Sequence, residues 1–130
     1  MTMMEEATQR FVRAAATPEG ERVLRGHDED YQFDLADGER FYVEIQAGGL
    51  AVHAGETPRR GYYESTFIET DAATLRELFR GSLRPTEAIQ QRRFNMVIRM
   101  YEGAQITILL RIAGELARQE SLQAAWLTTL

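Results

Sequence analysis

Few side chains in this sequence could carry chemistry unaided, and their types narrow the field quickly. There are two histidines and no cysteine, and all fifteen basic residues are arginine. Without cysteine there is no disulfide, thiolate metal site or thiol nucleophile. Without lysine there is no Schiff base and no phosphate-loop amine. His27 stands among Asp28, Glu29 and Asp30, the residue types that bind divalent cations. Consecutive residues rarely converge on one ion, however, so this run reads as a solvated turn. Ser65, Ser82 and Ser121 have no neighbouring histidine and no nucleophile-elbow glycines. Glu64 and Glu69 fall on opposite faces of one strand and make no acid pair. No dinucleotide fingerprint is present. These residues point away from an enzyme and to no metal or cofactor.

Charge is the second chemical signal. The net charge of −5 argues against nucleic acid, which calls for a basic footprint. Between Ala72 and Tyr101, however, six arginines (Arg76, Arg80, Arg84, Arg92, Arg93, Arg99) face two acids. That local +4 leaves −9 elsewhere. The arginines are either solvated helix faces or a cationic rim that meets anionic headgroups, each contributing on the order of 1 kcal/mol at a charged membrane.

The elements that must position these residues can be read from periodicity. At 130 residues the chain fits one domain, residues 1–130. Its composition, 44% hydrophobic and 27% charged, is that of a globular fold. No run of eighteen apolar residues occurs, and the acidic start MTMMEEATQR is unlike a secretory signal, so a cytoplasmic protein is expected. Thr2 and Glu5 have capping-box spacing, which predicts a helix to about Ala16 with Met4, Ala7, Phe11 and Ala14 inward. A short helix follows over Glu19–Leu24, stopped at Gly26. The period then changes to two. Tyr31, Phe33 and Leu35, then Phe41, Val43 and Ile45, alternate with polar residues around an Asp37-Gly38 hairpin. Gly48-Gly49 reverses the chain into a third strand, Leu50–His53. This pattern predicts an antiparallel sheet covered by helices on one side.

The stretch GETPRRG (Gly55–Gly61) reads as an exposed loop, and Tyr62–Glu69 as a fourth strand whose inward face the pattern leaves open. Thr70–Met100 then combines a capped helix, a glycine stop at Gly81, a short helix from Pro85 burying Ala88 and Ile89, and a fifth strand from Phe94. A strand, a helical connection and a strand in sequence usually form a right-handed crossover. Ala104–Arg118 is the last helix, with Thr107, Arg111, Glu115 and Arg118 on its polar side. Its apolar residues span roughly 200° of the wheel, wider than the ~100° an ordinary surface helix needs. Such breadth calls for a second apolar partner: core, another chain or a ligand. The tail Gln119–Leu130 adds Leu122, Trp126, Leu127 and Leu130, too apolar to be left in water without a reason.

This order of elements resembles the sterol carrier protein type 2 domain family. YQFDLADGERFYVEI (Tyr31–Ile45) and, above all, LRELFRGSLRPTEAIQQRRFNMVIRM (Leu75–Met100) carry the resemblance. The family's helix-ending glycine, following leucine and proline-started turn stand here as Gly81, Leu83 and Pro85. The basic strand that follows is Phe94–Arg99. Similarity covers roughly residues 20–118. Two departures are Met100-Tyr101, where the family often has a Gly-Asn or Gly-Asp turn, and the ending Thr128-Thr129-Leu130, which is not a peroxisomal address.

The resemblance implies an α+β fold: a five-stranded mixed, mostly antiparallel sheet, helices on one face and a helical crossover before the last strand. It implies non-catalytic binding of a fatty acyl, sterol or isoprenoid-like lipid in a tunnel between sheet and helices, and possibly its transfer. Each methylene leaving water contributes roughly 0.8 kcal/mol, so an apolar slot gives affinity with little selectivity. The candidate lining residues are Phe79, Leu83, Ile89, Phe94, Met96, Ile98, Met100, Ile108, Leu109 and Ile112. Arg76, Arg80, Arg84, Arg92 and Arg93 are the candidates for anionic-membrane contact. The alternatives are a homodimerisation or interaction module, as similar domains serve in some multidomain enzymes, and an accessory protein presenting a lipid intermediate to enzymes.

Overall fold

Local capping signals set the first two helices. In the computed structural model, which describes residues 1–59, 65–97 and 104–128, α1 spans Met3–Ala15 and α2 spans Pro18–Leu24. The Thr2 hydroxyl accepts from the Glu5 N–H and donates to its carboxylate, each at 3.1 Å. Thr17 accepts from the Gly20 N–H at 3.0 Å, and Pro18 occupies the first turn, where its missing donor is harmless. The buried stripe of α1 is Met3, Ala7, Phe11 and Ala14; Met4, expected inward, is half-buried. Glu39 explains the substitution. Its carboxylate accepts from the Met3 and Met4 N–H groups at 3.3 and 2.8 Å, pinning the helix start against the first hairpin.

The strands are β1 (Glu29–Leu35), β2 (Arg40–Gln46), β3 (Gly49–Ala54), β4 (Ser65–Thr70) and β5 (Asn95–Val97), in the order β3-β2-β1-β4-β5. β1 and β4 are parallel and the other neighbours antiparallel. This is the mixed α+β sheet expected. Tyr31, Phe33, Phe41, Val43 and Ile45 point into the core, and the open question on β4 resolves to Thr66 and Ile68 inward. The β2–β3 reversal sits one residue earlier than expected, at Ala47-Gly48, with φ of +53° and +77°. Both angles are those of a tight primed turn. Gly49 is already in β3, paired with Gln46.

The strand order corrects two expectations. β3 and β4 lie on opposite sides of the β2–β1 pair, so their connection must cross the sheet. Its described part, residues 55–59, docks on β1 from the outer face and buries Thr57 to 2% exposure. The expected exposed loop is a strap, and β1 is covered on both faces. In addition, the helices after β4 return the chain antiparallel to it, with Ile68 opposite Met96. A parallel crossover would have required the opposite direction.

Those helices are α3 (Ala72–Arg80) and α4 (Pro85–Gln90). Asp71 caps α3 by accepting from the Thr74 N–H at 2.7 Å, and Gly81 ends it in the left-handed region, φ +78°. α4 buries Pro85 and Ala88, but Ile89 is 39% exposed. In so short a helix one narrow face reaches the core, and Ile89 stands about 100° away from Ala88. α5 spans Ala104–Thr128, continuing through what reads as a tail. No glycine or proline after Gly114 interrupts it. Helices α1 and α2, α3, and α4 surround it. Its wide apolar face is therefore accounted for by helices on several flanks. Among the described residues no helix is long and apolar enough to cross a membrane.

Candidate functional site

The interior between sheet and helices is built on phenylalanine. Phe33 stacks on Phe41 with ring centroids 4.9 Å apart, and Phe94 meets Phe33 edge-on at 6.3 Å. Phe11 bridges Phe33 at 6.1 Å and Phe79 at 5.3 Å, the latter in T geometry. Such ring pairs add roughly 0.5–1.5 kcal/mol each beyond the area they bury. Of the lining candidates, Phe79, Leu83, Phe94, Leu109 and Ile112 belong to this core, and Met96 and Ile108 are partly buried against it. Ile89 is at the surface of α4. Ile98 and Met100 lie outside the described residues.

Space opens where α4 meets α5. A cleft of about 380 Å³ is lined by Arg84, Pro85 and Thr86 on one side and Thr107, Ile108, Arg111, Glu115 and Arg118 on the other. The polar stripe of α5 is thus one wall, and Pro85 and Ile108 supply the apolar patch. Arginine stems add methylene surface while their heads stay wet. Arg111 is neutralised: it bonds Glu19 across the cleft end and Glu115 one turn on, at 3.1 Å for the latter. The Glu19 bond first, then Glu115, holds its guanidinium above the ordinary arginine range. Arg84 and Arg118 make no ion pair among the described residues. Arg118 is steered by its stem, which lies over Gly81. The cleft is therefore carbon-lined, at the small end of ligand-pocket volumes, with uncompensated cations at its edges.

The other candidate arginines divide. Arg76 pairs with Glu6 and Arg93 with Glu77, whereas Arg80, Arg84 and Arg92 are exposed without an ion pair among the described residues. The cationic rim is smaller than the count suggested.

A polar cluster beneath the strap went unread in the sequence. The Thr57 N–H donates to Gln32 Oε1 at 2.7 Å and its hydroxyl donates to Asp30. Gln32 Nε2 donates to the Gly55 and Phe41 carbonyls at 3.0 and 3.2 Å. Arg59 reaches Asp28 at 2.7 Å and Asp30 at 3.5 Å. Burial pushes the Asp30 carboxyl above its usual range, against the opposing pulls of Thr57 and Arg59. Beside it on the outer face, His53 bonds Glu44 at 3.2 Å and lies on the Tyr42 ring, centroids 4.9 Å apart. His27, expected in a solvated turn, contacts Glu29 at 3.3 Å and Gln105 of α5 at 3.3 Å. Gln105 in turn accepts from the Tyr31 hydroxyl at 3.4 Å. These contacts join distant segments, and only the strand order brings them together. Glu64, the partner rejected for Glu69, lies outside the described residues.

No family model matches the chain, and no curated protein matches it by sequence. Solved structures match by shape. The sterol carrier protein domain 2 of Helicoverpa armigera superimposes over 86% of this chain and 85% of its own, with a TM-score of 0.62 at 18% identity. The fold is that of sterol carrier protein 2. UbiJ-SCP2, a ubiquinone synthesis protein, shares this sterol carrier fold over 84% of this chain and 86% of its own (TM-score 0.58, 12% identity). So does part of the inverting sec-alkylsulfatase Pisa1 from Pseudomonas sp., over 71% of this chain (TM-score 0.57, 15% identity). The chain spans only 14% of that sulfatase's length. At these identities the likeness establishes the sterol carrier fold alone.

Proposed function

We propose that this protein binds an amphiphilic lipid, without catalysis, its headgroup in the α4–α5 cleft and its chain in the apolar layer behind. One observation carries this reading: the cleft places apolar Ile108 and Pro85 between two uncompensated arginines, Arg84 and Arg118. Directly behind this wall are Leu109 and Ile112, with Leu83, Phe79 and Phe94 in the same core cluster. The ring cluster fills the centre, so an acyl chain enters by parting α4 from α5, with Met96 as adaptable lining and Ile89 at the lip. Arg80, Arg84 and Arg92 are the residues left to meet an anionic bilayer during transfer. The test is native mass spectrometry for co-purifying lipid, with displacement of a fluorescent fatty acid. Saturable micromolar binding is expected, and a lipid-free protein that binds no probe overturns the reading.

A second reading is presentation of a lipid intermediate to biosynthetic enzymes. The shared fold of a ubiquinone synthesis protein favours it. Extraction and identification of the bound species separates the two: one isoprenoid supports presentation, a mixture of acyl lipids supports carriage.

A further inference from the structure

A polar atom shut inside a protein without a partner loses its water and gains nothing in return, so each such atom in a native fold calls for an explanation. The buried acids at the start of β1 have theirs: Glu29 has His27 at 3.3 Å, and Asp30 has Arg59 at 3.5 Å. Thr74, in the first turn of α3, has no such neighbour. The residue is 0% exposed, and its hydroxyl oxygen makes no hydrogen bond among the described residues. A helical threonine commonly bonds the carbonyl three or four residues back. Here those carbonyls, of Asp71 and Thr70, accept instead from the Leu75 N–H at 3.1 Å and the Ala36 N–H at 3.0 Å.

Its place on the helix says where the hydroxyl stands. Thr74, Leu78 and Gly81 recur at i, i+4 and i+7, which is one stripe of α3. That stripe is laid on α5, because Gly81 and the Leu78 carbonyl abut Gly114. Leu75 and Phe79 turn about 100–140° away from Thr74, and Phe79 meets Phe11 of α1. The hydroxyl therefore lies in the seam between α3 and α5, about 10 Å along the helix from Gly81, where the Arg118 stem rests. Leu78, one turn from Thr74, shares its core cluster with Phe79, Leu109 and Ile112, the residues behind the cleft wall. A chain whose head is held at Arg84 and Arg118 thus runs towards Thr74 as it extends inward.

A plain acyl chain would leave that hydroxyl unbonded, whereas an oxygen carried partway along the chain supplies the missing partner. A threonine hydroxyl donates to a keto or hydroxyl oxygen and accepts from a hydroxyl. The ligand's own oxygen would be equally costly to bury in an apolar slot, so one bond relieves both groups.

We propose that the Thr74 hydroxyl is a second polar anchor for the bound lipid, selecting chains that carry a hydroxyl or keto oxygen about midway along their length. The inference rests on the lipid-binding reading above. Its test compares stearate, 10-hydroxystearate and 10-oxostearate, each displacing the fluorescent fatty acid from the full chain. In wild type the better oxygenated acid is expected to bind at least as tightly as stearate. Thr74→Val keeps the shape and removes the hydroxyl. It is expected to weaken that acid about three- to tenfold, the strength of one net hydrogen bond, and to leave stearate unchanged. Thr74→Ser keeps the hydroxyl and is expected to behave as wild type. Because Thr74→Val breaks no bond in the unliganded protein, it is expected to melt no lower than wild type. A lower midpoint shows that the hydroxyl is already bonded inside the chain and overturns the proposal. Stearate binding with no selective loss of either oxygenated acid in Thr74→Val also overturns it and leaves the lipid-binding reading standing, as does an equal loss in Thr74→Ser. If none of the three acids binds wild type, both fall.

Discussion

Gly81 and Gly114 meet backbone to backbone: a β-carbon on Gly114 would lie 3.0 Å from the Gly81 Cα and 2.8 Å from the Leu78 carbonyl oxygen. A β-carbon on Gly81 would lie 2.4 Å from the Gly114 oxygen. The C-terminus of α3 therefore touches α5 with no side chain between them, and this contact fixes how far α5 stands from α3. Gly114→Ala should destabilise the fold by about 1–3 kcal/mol, the usual cost of overpacking. Gly81→Ala should cost more, because its φ of +78° adds strain for any side chain. Urea denaturation checks both. Destabilisation of Gly114→Ala by less than about 0.5 kcal/mol would show that the helices can move apart freely.

The Ala47-Gly48 turn offers a gain. Ala47 occupies the left-handed region, where a β-carbon costs roughly 1 kcal/mol and asparagine or glycine is favoured. Ala47→Asn should raise stability by about 0.5–1 kcal/mol and leave ligand binding unchanged. A lower midpoint in thermal melting would contradict the turn assignment.

Asp30 should make stability depend on pH. Burial raises its folded-state pKa above the unfolded value. Its contribution is therefore fully present below the unfolded value of about 4 and is lost as pH rises through the raised folded value. Asp30→Asn removes this component. Between pH 4 and pH 7 the variant should lose less stability than wild type does, measured by denaturant midpoints at fixed ionic strength. An equal loss in both would show that Asp30 does not titrate in that range.

Thr57 is the strap's anchor to the sheet. Thr57→Val keeps the shape but leaves Asp30 without its hydroxyl donor, which should cost about 1–3 kcal/mol. Hydrogen exchange of the strap amides should accelerate more than exchange in β4. Unchanged strap exchange would show that Arg59 suffices to hold it.

The cleft is tested by charge and by volume. Arg84→Glu together with Arg118→Glu should weaken a fluorescent fatty acid at least tenfold, about 1.4 kcal/mol, and an uncharged lipid probe far less. Ile108→Trp should weaken both probes by filling the cleft. Equal effects of the arginine changes on the two probes would remove the headgroup assignment while leaving an apolar site.

Sequence order revealed what depends on near neighbours. Thr2, Asp71 and Gly81 announce helix ends because the capping partner lies within a few residues, and Phe33, Phe41 and Phe94 announce the core through strand alternation. Thr57 gave no such signal, since its partners Asp30 and Gln32 are twenty-five or more residues away and look like ordinary outward polar residues. His27 was misread for the same reason: Gln105 lies 78 residues on. The exposure of Ile89 and the continuation of α5 past Arg118 depend on which neighbours are absent, and periodicity carries no record of that. The α4–α5 cleft was half legible: Thr107, Arg111, Glu115 and Arg118 were visible as a stripe, but what faced them was not.

α5 is one uninterrupted rod, about 37 Å long at 1.5 Å per residue. Ile108 in the cleft wall and Trp126 near the tip stand on it about 27 Å apart, with no hinge residue other than the wedged Gly114 between them. Any grip on the tip is therefore a grip on the cleft wall. On the proposed reading, a lipid chain that parts α5 from α4 swings the far end of the helix, and whatever holds that end resists the parting. The two events share one lever, so whatever affinity one gains or loses from the other is returned in equal measure.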